Sequence, residues 1–408
     1  MQENKLNVLS LFDGMSCGQQ ALERSGFNIE NYYASEIDKY SIQVTMANYP
    51  NTIQLGSVVN VDGYSLPKID LLLGGSPCQS FSFAGKRKGM STKDEQEILT
   101  LDHYLQLNSE DYEFEGQSYL FWEYMRLLNE LRSKNPNVYF LLENVEMGEK
   151  WEKVLNKAIG VKGIHINSSL VSAQNRKRIY WTNIGLEQSG LFGDYESIIK
   201  QPKDKRLLLK DILENEVDDK YFLSEKFDNW LKKHSLKRGN EYKKTEGNRK
   251  ASCLSVSALK SVNLSADFIV HNLQKRSADR PAIQKNKNAG GSGHLSREDG
   301  KTYCLDSQNT QAVEIIGGTL RTHKSGEGFR EIKSGKAGAI PTRAREDGSG
   351  QNVVNIDSKI RRLTPIECER LQTVKDNYTN HVSDSQRYKM LGNGWTIDVI
   401  SHILNYMK

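Results

Sequence analysis

Cysteine is scarce in this 408-residue chain. The five, Cys17, Cys78, Cys253, Cys304 and Cys368, are odd in number, widely spaced and form no CxxC pair. That pattern argues against a disulfide framework and against structural zinc, and no His/Cys cluster suggests another metal. Four of the five read as small buried apolar residues; Cys78 stands apart, as shown below. Long apolar runs are also missing. No stretch approaches the roughly 18 to 20 residues that span a bilayer. The opening MQENKLNVLSLFDG has no basic region before its apolar stretch, so no export signal is expected and the chain is placed in the cytoplasm. There is no repeat of fixed period.

Charge is nearly balanced at +5 overall but unevenly spread. Residues 200–350 hold 30 Lys and Arg against 20 Asp and Glu, a net of +10, which leaves −5 on the remainder. A basic middle segment suits a phosphate-bearing partner, although a solvated surface has the same composition. The first 185 residues alternate short apolar runs with helical stretches, the pattern of a parallel α/β sheet. Strands are predicted over 7–12, 32–35, 70–74, 138–142 and 178–182, and helices over 16–25 and 119–134. From about 190 the texture changes, and 285–355 is rich in Gly, Ser, Asn, Lys and Arg with little periodicity. Helical spacing returns at Ile360. The chain therefore reads as one α/β domain interrupted by an inserted small mixed domain: 1–190, then 191–355, then 356–408.

Several short segments carry chemistry. VLSLFDGMSCG passes from a strand through Gly14 and Gly18 into a helix, a turn that lets a ligand approach the backbone at a helix start. It lacks the GxGxxG spacing of a dinucleotide site. The next strand leads into Glu36, an acid placed to accept ribose hydroxyls. GGSPCQSFSFAGKRKG puts Cys78 in a polar, basic loop, where a reactive thiolate is favoured and an inert buried cysteine is out of place. Glu143 is predicted at the end of the apolar strand VYFLL, on the rim where α/β proteins bind ligands. In QNRKR, extended backbone would set Arg176 and Arg178 on one face, able to grip a phosphate, a carboxylate or a base carbonyl.

In order and spacing these segments resemble the DNA (cytosine-5) methyltransferase family. LFDGMSCG is similar to its cofactor loop, SPCQ to its nucleophile loop, ENV to its catalytic glutamate motif and QNRKR to its arginine motif. RRLTPIECERLQ and YKMLGNGWTIDVI are similar to its last two motifs. VLSLFDG, YYASEI and GNGWTIDVI echo the mammalian de novo branch, whereas SFSFAGKRKG is closer to bacterial members, which points to a prokaryotic or phage enzyme. The resemblance implies a Rossmann-like S-adenosylmethionine-dependent fold with an inserted target-recognition domain. It also implies a reaction: Cys78 adds to cytosine carbon 6, Glu143 holds and protonates ring nitrogen 3, Arg178 contacts the base carbonyl and Arg176 supports it. The cofactor, leaving as S-adenosylhomocysteine, would lie against Phe12, Gly14, Glu36, Ile37, Ser57, Val58, Gly75, Pro77, Leu120, Asn393 and Trp395. Gln79, Ser82 and Lys86 would meet DNA from the nucleophile loop, and Arg321, Arg330, Arg343 and Arg345 would read bases from the inserted domain.

The implied partner is double-stranded DNA, met by a monomer, with a cognate restriction endonuclease acting separately in some settings. Two departures stand out. Ser57 occupies the place where the family has an aspartate for the adenine amine, and Gln117 lies where an arginine is usual. An insertion over 93–115 carries eight acidic residues after Lys93. A cytosine-5 RNA methyltransferase and a non-catalytic DNA-binding relative remain as alternatives.

Overall fold

The computed structural model describes residues 5–77, 90–189, 194–222, 269–273, 310–314, 354–356 and 359–407. The chain divides into two compact units. The first comprises Met1–Asn167, Lys177–Lys203 and Gly394–Lys408; the second comprises Ser168–Arg176 and Asp204–Asn393. No helix among the described residues is long and apolar enough to cross a membrane.

The first unit is built on a seven-stranded sheet: β1 (Leu6–Leu11), β2 (Ile29–Ser35), β3 (Ile53–Gln54), β4 (Leu71–Gly74), β5 (Tyr139–Val145), β6 (Ile164–Asn167) and β7 (Lys177–Thr182). Their order across the sheet is β3-β2-β1-β4-β5-β7-β6, parallel except for β7, which runs antiparallel to both its neighbours. The central strands are almost continuously apolar because helices cover both faces: Val8, Leu9, Leu11, Leu71, Leu72, Leu73, Phe140, Leu141 and Leu142 are each fully buried. The strand order reverses between β1 and β4, which opens a crevice at their carboxyl ends. Register then aligns those ends. Ser35 pairs with Leu11, Leu11 with Gly74, and Gly74 with Leu142. The residues that follow this row are Glu36, Phe12, Gly75 and Glu143.

Helices α1 (Cys17–Arg24), α2 (Lys39–Asn48), α3 (Leu101–Ser109), α4 (Phe121–Lys134) and α5 (Glu149–Ile159) follow in chain order. Helix α2 starts where the Asp38 carboxylate accepts the Tyr40 and Ser41 amides, satisfying donors that the first helical turn leaves unpaired. The predicted elements are present with shifted ends. One shift matters: β5 continues through Val145, so Glu143 sits inside the strand rather than just beyond it. The cause is β7, whose antiparallel pairing of Tyr180 with Glu143 and Arg178 with Val145 carries the ladder past the apolar run. Conversely β7 begins at Lys177, so Arg176 lies just before the strand that carries Arg178.

Beyond β7, β8 (Leu186–Ser189) and β9 (Asp194–Ser197) form a hairpin in the first unit. In the second unit β10 (Ile269–Leu273) pairs with β11 (Thr310–Glu314), and β12 (Val354–Ile356) with β13 (Lys359–Arg361), both antiparallel. Helices α6 (Pro365–Leu371) and α7 (Asp384–Asn393) close it, and α8 (Ile397–Leu404) returns to the first unit against α1, where the Ser401 hydroxyl donates to the Ala21 carbonyl at 3.1 Å.

The second unit is organised by charge buried under α6. Arg361 and Glu367 are both fully buried, with Nη1 and Nη2 donating to the two carboxylate oxygens at 2.8 and 2.7 Å. The Thr364 and Glu214 amides supply further donors at 2.8 and 2.9 Å. A pair removed from water is tolerable only when its remaining lone pairs are satisfied in this way. Loss of one partner strands the other, so Glu367→Ala should destabilise the protein by about 3 to 5 kcal/mol. Urea unfolding followed by tryptophan fluorescence checks this; a loss below about 1 kcal/mol would mean that the pair does not hold the unit together.

Candidate active site

The turn after β1 is held in an unusual backbone state. Phe12, Gly14 and Ser16 all have positive φ, 56°, 59° and 61°, a region costly for residues other than glycine. The Glu36 carboxylate fixes this turn from the end of β2. Its Oε2 accepts the Gly14 amide at 2.7 Å, while Oε1 accepts those of Ile37 and Asp38 at 2.7 and 2.8 Å. Three of a carboxylate's roughly four acceptor positions are thereby occupied. Beside it Ile37 is 70% exposed, an apolar side chain open at the crevice. Ser57 precedes the short 3-10 turn Val58–Asn60 and its hydroxyl makes no capping bond; Val58 is buried.

Asp13, within the FDG motif, carries no functional signal of its own in the sequence. It is buried, and its Oδ1 accepts the Tyr32 hydroxyl at 2.8 Å while Oδ2 has no partner. Burial pushes its pKa up from 3.8 to about 6; nearby hydroxyls offset this in part and the Glu36 charge adds to it. Gly18 belongs to the same arrangement, because a Cβ there would lie 2.5 Å from the Tyr32 hydroxyl.

On the other side of the switch point, Glu143 and Arg178 face each other from β5 and β7. Arg178 Nε lies 2.7 Å from Glu143 Oε1, a close ion pair with side chains only 10% and 9% exposed. Asn144, the next residue, reaches back to β4: its Nδ2 donates to the Ser76 carbonyl at 3.2 Å and the Ser76 hydroxyl at 3.0 Å. Trp395 covers the same turn, its indole so close to Gly75 that a Cβ there would meet Nε1 at 2.8 Å. The turn leading to Cys78 is thus anchored from β5 and from the C-terminal segment. Leu120 packs half-buried on the core beside α4.

Arg176 belongs to the second unit, where its Nη1 donates to the Gly392 carbonyl at 3.2 Å, one residue before the exposed Asn393. Gln174 of the same motif, and Ser172 just before it, donate to the Leu371 carbonyl. Cys78, Gln79, Ser82, Lys86, Arg321, Arg330, Arg343 and Arg345 lie outside the described residues.

Against known proteins, the C-5 cytosine-specific DNA methylase family matches residues 6–408. The chain belongs to that family. It is a DNA cytosine-5 methyltransferase, as the motifs implied. An orphan methyltransferase of Bacillus phage SPR, M.SPRI, is 29% identical over 464 residues, covering 98% of this methylase and 96% of the phage protein. The type II methyltransferase M1.ScrFI of Lactococcus lactis subsp. cremoris is 24% identical, covering 99% and 78% respectively. Among solved structures, the S. pombe Dnmt2 methyltransferase aligns at a TM-score of 0.55 and the Entamoeba histolytica methyltransferase EhMeth at 0.54. Each is 14% identical, with 99% of this chain and 98% of the other covered, so the likeness is one of fold. The methylase thus has the mostly parallel, Rossmann-like sheet of S-adenosylmethionine-dependent enzymes.

The buried Asp13 carries a signature in stability. Below about pH 4 the carboxyl is protonated in both the folded and unfolded chain. Between about pH 4 and 6 the unfolded chain ionises first, so stability falls as pH rises, by on the order of 2 to 3 kcal/mol in all. Asp13→Asn should remove that loss, and the variant should melt higher than the parent at pH 7.5. Melting curves of both proteins from pH 4 to 8 check it; identical profiles would show that the carboxyl carries no such penalty.

Proposed function

We propose that this methylase flips a cytosine out of duplex DNA and methylates carbon 5 through a covalent adduct with Cys78, using S-adenosylmethionine. The observation that carries the reading is the buried Glu143–Arg178 pair, next to a turn that Asn144 and Trp395 anchor two residues before Cys78. The Cys78 thiolate adds to carbon 6, and the ring's electrons move toward nitrogen 3. There Glu143 holds the proton that neutralises them, a stabilisation that grows as the adduct forms. Arg178 donates to the base carbonyl, with Arg176 as its supporting partner. Carbon 5 then takes the methyl group, loses its own proton to base, and elimination releases Cys78. Base flipping gives these groups access to both faces and the edge of the ring.

The residues present fit the cofactor. Gly14 has open space above it at φ +59°, Glu36 retains about one acceptor position for a ribose hydroxyl, and Ile37 offers an exposed apolar face to adenine. When bound, the group supplies an electrophilic methyl on sulfonium. Phe12, Ser57, Val58, Gly75, Pro77, Leu120, Asn393 and Trp395 complete the proposed cofactor set. The segment 191–355 is proposed as the target-recognition domain between catalytic segments 1–190 and 356–408. Its Arg321, Arg330, Arg343 and Arg345 would read bases, while Gln79, Ser82 and Lys86 meet DNA near the flipped cytosine. The enzyme is proposed to act as a cytoplasmic monomer, with a cognate endonuclease, where one exists, acting as a separate protein.

Duplex DNA containing 5-fluorocytosine blocks the final proton loss, so the parent enzyme should accumulate a denaturation-resistant protein–DNA adduct. Cys78→Ala should form none and retain less than about 1% of single-turnover methylation. Adduct formation by that variant, or methylation of tRNA in preference to duplex DNA, would overturn the reading.

Ser57 offers adenine a weaker acceptor than a carboxylate. Ser57→Asp should therefore tighten S-adenosylmethionine binding by up to about 1 kcal/mol in calorimetric titration. Unchanged or weaker binding would mean that the adenine end is held by other groups.

A further inference from the structure

The acidic insertion takes no part in the chemistry above, yet it is an ordered part of the first unit. Met90, Ile98, Tyr104 and Leu107 are buried in the same core as Phe121, Trp122, Tyr124 and Leu128. Helix α3 is capped by Thr100, whose hydroxyl accepts the His103 amide. Phe114 stacks on Tyr119 with ring centroids 4.4 Å apart and lies 5.3 Å from Tyr104. The acidic residues themselves lie largely on the outer surface and several are paired locally, as Lys93 is with Glu113 and Lys150 with Glu97.

One buried polar chain leaves the insertion. The Tyr104 hydroxyl donates to Glu123 Oε1 at 2.6 Å, and Glu123 is only 3% exposed. Arg126 Nε donates to the other carboxylate oxygen at 2.8 Å. Its Nη1 donates to Glu130 Oε1 at 2.7 Å, and its Nη2 to the carbonyls of Val61 and Val58 at 3.0 and 3.3 Å. Glu130 Oε2 then accepts the Gly63 amide at 2.8 Å. The chain thus ends on both sides of the loop that starts at Ser57. Burial disfavours the Arg126 charge, but Glu130 and Glu123 outweigh it, and its pKa is raised.

We propose that Tyr104 is a positioning residue for the cofactor: through Glu123 and Arg126 it sets the 57–63 loop against the adenosine end of S-adenosylmethionine. This rests on the cofactor assignment made above. The physical reason is satisfaction of a buried carboxylate. Without the Tyr104 hydroxyl, Glu123 Oε1 is left without a donor in a dry site, which costs more than the bond itself contributed. The nearest replacement donor is Arg126, and any turn of its guanidinium toward Oε1 withdraws Nη2 from Val58 and Val61. The loop then loses its anchor at Val58 and Val61 and is held by a side chain only at Gly63, through Glu130. A hydroxyl at Ser57 in place of a carboxylate makes the pocket more dependent on where the loop backbone lies. The insertion thereby acquires a role in cofactor affinity, while its acidic surface stays away from the chemistry.

Tyr104→Phe preserves the ring stack and removes only the hydroxyl. It should raise the Kd for S-adenosylmethionine, and its KM, by about three- to tenfold, with kcat at saturating cofactor and duplex DNA affinity unchanged. Hydrogen–deuterium exchange of the free protein should quicken at residues 58–63. Arg126→Lys, which keeps the charge but loses the fork, should do the same. Glu36→Ala serves as the control for the cofactor site. If Glu36→Ala weakens binding while Tyr104→Phe and Arg126→Lys leave both affinity and exchange at 58–63 unchanged, the positioning role is wrong and the cofactor site stands. If Glu36→Ala has no effect either, the cofactor assignment fails and takes this proposal with it. If Arg126→Lys does not fold, Tyr104→Phe alone decides, and its exchange pattern does so without ligand: quickening confined to 100–115 overturns the proposal.

Discussion

Backbone pairing at the centre of the sheet sets everything else in this methyltransferase. Ser35, Leu11, Gly74 and Leu142 lie in register on four adjacent parallel strands. The chain positions just past them are Glu36, Phe12, Gly75 and Glu143. Side chains alternate along a strand, so a slip of one residue between β4 and β5 would turn Glu143 to the opposite face. The continuous apolar burial of these strands makes such a slip costly, because it would also disturb the packing of both covering layers. Precision at the site is thus a by-product of the core.

In both units the enzyme uses buried or half-buried carboxylates as structural fasteners. Glu36 gathers three backbone amides and so holds the turn after β1 in its positive-φ conformation. Glu123 and Glu130 take the Arg126 fork and pass its reach to the 57–63 loop. In the second unit Glu367 does the same for Arg361 and the start of α6, and Glu369 accepts from Arg387 and the Thr379 and Asn377 amides. Each carboxylate collects several charge-assisted bonds, the condition under which a buried charge specifies one arrangement without destabilising it. Asp13 breaks that pattern. One of its oxygens is unpartnered, and the cost falls next to Gly14, at the turn where a ligand would approach. Stability given up at such a position is common where function constrains the residue.

The first unit supplies a rigid frame for the groups proposed to act on the base. Glu143 and Arg178 are held by paired strands, and the turn into the SPCQ motif is pinned by Asn144 and Trp395. Groups that must meet a developing charge work best when they need no reorganisation at the moment of reaction. A strand pair supplies that condition better than a loop, which is why Glu143 lying inside β5 suits the role proposed for it.

Local chemistry was readable in the linear chain. The apolar runs announced β1, β4 and β5, and the FDG turn and Glu36 pointed to a nucleoside-type site, because each depends on a few neighbouring residues whose types limit what they can do; SPCQ, ENV and QNRKR pointed to a reaction only together, through the family that their order and spacing resemble. The Glu123, Arg126 and Glu130 spacing on α4 was visible too, as an i,i+3 and i,i+4 pattern, but nothing nearby says that Arg126 also reaches Val58 and Val61. Relations of that kind join positions 60 to 70 residues apart and depend on register, crossing and burial. The same holds for the extension of β5 by β7, the orphaned oxygen of Asp13 and the link from the acidic insertion to the 57–63 loop. Such contacts exist because the packed sheet leaves certain buried polar groups with one available partner each, and a linear pattern records the groups but not the distances between them.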